Sequence, residues 1–210
     1  MRSKIIIVDD FYTKPDIVRR SALRSEFANI KATDYPGWQS RLNLSSDEIK
    51  NTFGTLIGAD VYVDESRFTW GGFRFITEES GRSTKVHADT SIDWAAMVYL
   101  SPGIDGNSGT AFFRHNKTGL EGPPTDRQAR ALGYMDASQF EDEVIRPDMH
   151  DLSKWTITGH VAPVYNRLVL FRGCEFYHAP LGGAGGDPES ARLTHNFFFN
   201  ERDAVVPCVV

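Results

Sequence analysis

From Arg67 onward the chain changes texture, and this is what most constrains its fold. Residues 68–77, 84–88, 93–101 and 109–115 are short aromatic and β-branched runs, parted by Gly, Ser, Pro and Asp. Text of this kind forms strands closed by turns, and a series of such strands builds an all-β sandwich or barrel. A more polar stretch, about 116–154, interrupts the series with helix-like text at 126–132 and 138–144. Strand text resumes at 155–163, 167–171 and 191–199, the last two joined by a glycine-rich loop over 181–190.

The first 66 residues read differently. A β-branched strand over 4–11 is followed by Thr13, Pro15 and Asp16, a helix start with a capping hydroxyl, a first-turn proline and an early acid. Val18/Ala22 and Leu23/Phe27 then recur at i,i+4, which gives that helix one apolar face. A loop around Tyr35-Pro36-Gly37-Trp38 precedes a second helix, capped by Ser45 or Ser46 and running to about Ile57. The two helices have the look of a platform. The expected organisation is one domain over 1–210: a strand and helical flank (1–66), a β core (67–200) with the insertion inside it, and a tail (201–210). A chain of 210 residues suits one domain and buries enough surface to fold without metal or disulfide.

Composition removes several classes of function. Lys and Arg total 23 against 28 Asp and Glu, a net charge of −5 with no basic run, which argues against a nucleic-acid binder. The longest promising uncharged run, 94–104, is about half the roughly 20 residues a spanning helix needs and holds a Pro-Gly turn. Residues 5–8 are too short an apolar run for a secretory signal before Asp9 and Asp10. The two cysteines, Cys174 and Cys208, are too few for a disulfide framework and fit a reducing compartment, with a single bridge left open. The expectation is a cytoplasmic protein without membrane or nucleic-acid partners, its oligomeric state left open.

Six histidines invite a search for metal sites. In His87-Ala88-Asp89 the two ligand types stand at i and i+2, on one face of a strand, so both can meet one ion. Alone the pair carries little, since chance supplies roughly 0.5 such matches in a chain of this composition. Context adds weight. A buried-looking strand leads into Phe176-Tyr177-His178, and Arg192-Leu193-Thr194 follows on the next strand with Arg192 and Thr194 sharing a face. Two His and one carboxylate on a barrel, with open positions left over, are what a non-haem Fe(II) oxygenase site requires, and a guanidinium nearby offers a planar fork for a carboxylate.

In these residues the chain resembles the Fe(II)/2-oxoglutarate-dependent dioxygenases, and within them the prolyl-hydroxylase-like branch. The likeness covers roughly 68–200. The family pattern of His-x-Asp, a long gap, a distal His and then an Arg is matched at His87, Asp89, His178 and Arg192. The resemblance implies a mainly β fold, the double-stranded β-helix or jelly roll. His87, Asp89 and His178 would hold Fe(II). 2-Oxoglutarate and O2 would be cosubstrates, with succinate and CO2 released as a substrate C–H bond is hydroxylated. Arg192 would pair with the distal carboxylate of 2-oxoglutarate, helped by Thr194 and by Tyr99, which matches a tyrosine that often bonds the cosubstrate. Asp89 favours hydroxylation over halogenation, because the halogenating members lack this carboxylate. The branch implies an amino-acid or peptide-like substrate, free or carried on a partner protein.

Other readings stand beside these. Arg192 would serve equally as a strand-edge arginine paired with an acid such as Glu189, Tyr99 as a core tyrosine, and Thr194 as an ordinary strand residue. His195 should face away from Arg192, and His115, His150 and His160 read as non-ligands. Cys174 reads as a small buried hydrophobe, because no second Cys/His pair completes a zinc site with His178. Trp38, Trp70, Phe73 and Trp94 suit either the core or a substrate mouth. The glycine loop lacks the spacing and Lys-Ser/Thr ending of a phosphate loop, and no Gly-x-Ser-x-Gly elbow occurs. The competing functions are a cupin-like metal dioxygenase or isomerase, for which the expected His-x-His pair is missing, and a non-catalytic jelly-roll binding module.

Overall fold

Two antiparallel sheets face each other in a computed structural model that describes residues 3–29 and 36–202. The larger sheet has the order β1 (Ile5–Val8), β9 (Leu168–Phe171), β6 (Trp94–Tyr99), β11 (Arg192–Glu201), β5 (Trp70–Ile76), β3 (Trp38–Asn43), β2 (Phe27–Asn29), and β4 (Val61–Tyr62) pairs with the end of β11. The smaller sheet runs β10 (Tyr177–Pro180), β7 (Thr110–His115), β8 (Trp155–Val161). An isolated bridge from His87 to His178 extends it by one position. The fold is a jelly roll, mainly β.

Period-2 alternation divides each strand of the larger sheet between two environments. Outward residues Trp94, Ala96 and Val98 of β6, Leu168 and Leu170 of β9, and Leu193, Phe197 and Phe199 of β11 join Phe73 and Phe75 in one core. Helices α1 (Pro15–Leu23) and α2 (Asp47–Ile57) cover that face with Val18, Ala22, Ile49, Phe53 and Ile57. The inward row, Ala95, Val169 and Phe171, packs on Phe112 and Val161 of the smaller sheet at one end of the sandwich. At the other end the inward row turns polar, and the site lies there. The outer face of the smaller sheet is covered by the insertion: α3 (Asp126–Ala131), α4 (Ala137–Phe140) and the following turns bury Ala129, Phe140, Val144 and Ile145 against Phe113, Trp155 and Tyr177.

Local chemistry explains most element ends. Ser46 caps α2 by accepting from the Ile49 N–H, and Gly58 ends it at φ +66, a left-handed conformation that glycine takes without a steric penalty. The first helix departs from expectation. Its cap is Lys14 with no side-chain bond, so Pro15 at the first turn, not the Thr13 hydroxyl, sets its start. It stops at Leu23, and Phe27 opens β2 instead, meeting Phe75 edge-on at 4.8 Å. The expected loop at 35–38 gives way to β3 at Trp38, while Tyr35 lies outside the described residues. Residues 84–88 form no strand: the Val86 N–H bonds the Met149 carbonyl of the insertion, and only His87 bridges to β10. The helix text at 138–144 becomes α4 followed by a wide π turn over Glu141–Ile145. There the Tyr177 hydroxyl donates to Glu141, whose carboxyl burial pushes up to about 7.

The core strand β11 runs to Glu201, one residue into the expected tail, because Glu201 accepts from the Trp94 indole and pairs with Arg172. The rest of that tail, 203–210 with Cys208, lies outside the described residues. Cys174 is buried but disulfide-bonded, which corrects its reading as a small buried hydrophobe in a reducing compartment, and Trp38, Trp70, Phe73 and Trp94 belong to the outer core, not to a mouth. Among the described residues no helix is long and apolar enough to cross a membrane.

Candidate metal centre

His178 stands on β10, and the antiparallel bridge sets His87 beside it through two backbone bonds, 3.1 and 2.8 Å. Their rings lie 4.5 Å apart between centroids. The Asp89 N–H bonds the Gly173 carbonyl at 3.0 Å, which draws the third residue alongside. A side chain at 173 would not fit, since its Cβ would stand 2.0 Å from Asp89 Oδ2. One ligand atom from each of His87, Asp89 and His178 lies within 4.8 Å of the others, and all three residues are buried.

The imidazoles are oriented from behind. His87 Nδ1 lies 3.1 Å from the Lys85 carbonyl and His178 Nδ1 lies 2.9 Å from the Phe176 carbonyl. A carbonyl can only accept, so each Nδ1 carries the proton and each Nε2 keeps its lone pair. Both Nε2 atoms face Asp89 at 3.7 Å, beyond hydrogen-bond range and suited to a shared ion. Burial pulls His178 down to about 4, against the attraction of Asp89, so the ring is neutral near pH 7, as a metal ligand must be. Two imidazoles and one carboxylate, each imidazole held by a backbone carbonyl, form the donor set that a non-haem iron site uses.

The three residues line a cavity of about 50 Å³, with Arg192, Thr194 and Asn196 from β11, Met97 from β6 and Thr110 from β7. Arg192 is buried, and its Nε donates to the Ser108 carbonyl at 2.7 Å. Its guanidinium sits over the Tyr99 ring, 5.3 Å from the centroid. Burial lowers its pKa, and Tyr99 opposes the shift. Among the described residues no carboxylate lies within ion-pair distance of it; Glu189 is exposed and gives its carbonyl to Arg19. A buried cation among neutral groups favours an anionic ligand.

Thr194 is buried and lines the cavity, exchanging hydrogen bonds with Asn196. Tyr99 stands one layer back, its hydroxyl 2.7 Å from Thr110 Oγ1, so Thr110 is the group that reaches the cavity on that side. Sequence reasoning did not single out Thr110, Arg74 or Asn196. The signal for Asn196 was available, because it is the next inward residue after Arg192 and Thr194. His195 faces the other way: Tyr12 Oη lies 2.8 Å from its Nδ1, and its Nε2 lies 2.9 and 3.0 Å from the Leu44 and Gly71 carbonyls. His150 and His160 are exposed, and His115 pairs with Asp148 at 3.0 Å. None of these four joins the metal cluster.

A family model described as a family of unknown function (DUF6445) matches residues 1–199. The chain belongs to that family. No curated protein matches it by sequence. Solved structures similar to this DUF6445 chain include a prolyl 4-hydroxylase from Phytophthora capsici (TM-score 0.56, 14% identity), which covers 97% of this chain, while the chain spans 61% of that protein. A Pseudomonas putida prolyl-4-hydroxylase has TM-score 0.50 and 15% identity over 95% of this chain and 93% of its own. HygX from Streptomyces hygroscopicus, solved with nickel, 2-oxoglutarate and hygromycin B bound, has TM-score 0.54 and 11% identity over 96% and 84%. At such identities the likeness is one of fold: this DUF6445 chain has the jelly roll of the Fe(II)/2-oxoglutarate oxygenases.

Proposed function

We propose that the chain is an Fe(II)- and 2-oxoglutarate-dependent oxygenase that hydroxylates an amino-acid or peptide-like substrate. One observation carries the reading: two buried histidines with outward-held Nδ1 protons converge with Asp89 on a cavity that also holds a buried arginine. His87, Asp89 and His178 would hold the iron, which supplies the activation of O2 when bound. In that reaction one oxygen atom of O2 would enter the substrate C–H bond and the other succinate, two electrons coming from 2-oxoglutarate as CO2 is lost and two from the substrate.

The protein's own share is positional. The Lys85 and Phe176 carbonyls keep both imidazoles in the ligating tautomer. Arg192, held at Nε by the Ser108 carbonyl and at Nη2 by the Gly109 carbonyl and the Thr110 hydroxyl, would use Nη1 for the distal carboxylate of 2-oxoglutarate, with the Thr194 hydroxyl also lining the cavity. Tyr99 supports this pair through its ring and its bond to Thr110. Phe198, Met97 and Ile76 give the cavity apolar wall, which restricts water around the reacting groups. The substrate would be a small molecule or a peptide, free or carried on a partner.

The test is an anaerobic titration of metal-free protein with Fe(II) and then 2-oxoglutarate, followed by the visible charge-transfer band of the chelate. A band saturating at equimolar iron and absent from His178→Ala supports the reading. Bound iron without a band favours a cupin-like enzyme, and no iron binding leaves a non-catalytic barrel.

A further inference from the structure

A second cavity lies beside the metal centre, between the insertion and the segment that carries two of the three ligands. It holds about 260 Å³ and is lined by Ala88 and Thr90 on one side and by Ser138, Glu141, Arg146 and Met149 of the insertion on the other. The Val86 N–H bonds the Met149 carbonyl at 2.9 Å and ties the two walls together. Ala88, Thr90, Arg146 and Met149 also line a larger cleft on which His87 and Asp89 lie, so the side cavity and the mouth of the metal site share a rim.

The side cavity presents hydrogen-bond acceptors. Glu141 opens the π turn Glu141–Ile145, a widened helical turn of a kind that recurs at functional sites. One of its carboxyl oxygens accepts from the Tyr177 hydroxyl, and among the described residues no group bonds the other. Thr90 and Ser138 are exposed, and among the described residues their hydroxyls bond no protein group. Arg146 donates to Asp142, Nε to Oδ1 at 3.0 Å, so these two charges cancel and the lining is left with that of Glu141. Burial raises the Glu141 pKa against the pull of the Tyr177 bond and of Arg146, so an arriving cation would stabilise its charged form. An ammonium has three N–H donors and no acceptor, which suits one carboxylate oxygen and two hydroxyls. Ala88 and Met149 add apolar surface against which an aliphatic stem can lie.

We infer that the side cavity receives a primary ammonium on an aliphatic stem, as on a lysine side chain, and that this group belongs to the substrate. Glu141 selects it, with the Thr90 and Ser138 hydroxyls as further acceptors. This rests on the oxygenase reading above and adds the substrate class to it. The insertion supplies the selecting carboxylate, and Tyr177, next in the chain to His178, holds that carboxylate in place.

The experiment uses the full chain loaded with Zn(II) and 2-oxoglutarate, and fluorescence anisotropy with two labelled peptide libraries. The libraries match except that one has lysine where the other has norleucine, which keeps the stem and lacks the charge. The lysine library is expected to bind about tenfold tighter. Glu141→Gln keeps an acceptor for Tyr177 and should abolish the preference. Glu143→Gln makes the same change of charge on an exposed neighbour outside the cavity and should keep it. Ser138→Ala, on the exposed rim, should cut the preference about threefold and serves if Glu141→Gln fails to fold. Equal binding of the two libraries overturns the inference, as does a preference that Glu141→Gln or Ser138→Ala leaves untouched, or that Glu143→Gln removes equally. Equilibrium dialysis with Zn(II) and 2-oxoglutarate separates the two readings. Metal and 2-oxoglutarate bound without a lysine preference sinks the inference alone; a Glu141-dependent preference without metal binding sinks the oxygenase reading and the substrate role together.

Discussion

Replacing Gly173 with alanine tests the metal centre without touching a ligand. The added Cβ would stand 2.0 Å from Asp89 Oδ2 and 2.9 Å from its Cγ. Real contacts of this kind stay above 3.0 Å, so the carboxylate must retreat by about 1 Å, several times the roughly 0.2 Å tolerance of a metal–ligand bond. Gly173 is not among the glycines with positive φ, so alanine fits its backbone. The expected result is a loss of metal affinity of about 10–100-fold, as for a disturbed supporting residue, or about 1.4–2.7 kcal/mol. Overpacking would lower stability by about 1–3 kcal/mol, partly offset by the lower entropy of an unfolded chain with alanine. Competition for Zn(II) against a fluorescent chelator reads the first quantity, and thermal melting of metal-free protein reads the second. Gly106→Ala, whose Cβ meets nothing within 4 Å, is the control. Wild-type metal affinity in Gly173→Ala would refute the placement of Asp89 as a ligand.

Two further outcomes are expected. Arg192→Leu should raise the 2-oxoglutarate requirement by about 100-fold or more, the scale of losing a buried charged hydrogen-bond partner, while metal affinity stays near wild type. Titration of 2-oxoglutarate and of Zn(II) into the same variant checks both halves, and the reverse pattern would refute the role given to β11. His195 supplies a pH dependence. Burial pulls its pKa from 6.5 to about 4, so its contribution to stability is whole above 6.5 and is lost as pH falls toward 4, about 3 kcal/mol in all. Urea melts at about pH 7 and about pH 5 should show a smaller drop for His195→Asn than for wild type, and an equal drop would contradict the assignment.

The sequence was most legible where one residue type meets one environment. The alternation in 191–199 and 93–101 marked strands whose two faces differ, so β11 and β6 appear nearly as expected, and Arg192 and Thr194 share an inward face. The ordered set His87, Asp89 and His178 converges in space. What stayed hidden depends on contacts distant in sequence. β3 is exposed along half its length, so its residues carry little alternation, and its pairing with β5 holds it in place. Phe27 continued the helical pattern, yet Phe75 across the sheet took it into β2. Arg74 gave no local sign of belonging to a cavity, because only the register of β5 with β11 brings it beside Thr194.

The bridge between His87 and His178 bears on how the protein assembles. Two of the three donors are neighbours in the chain, but the third arrives from β10, on the order of ninety residues later, after β6, β7, the insertion and β9. Closing so long a loop loses chain entropy before the bridge returns any energy, which places this pairing late in folding. The unfolded chain therefore offers no complete nest of donors, and a divalent ion would bind almost only the finished barrel. Occupancy then shifts the folding equilibrium by mass action, about 2.7 kcal/mol at a free ion concentration 100 times the dissociation constant. The supply of metal in a cell would thus govern how many molecules stay folded as well as how many can react.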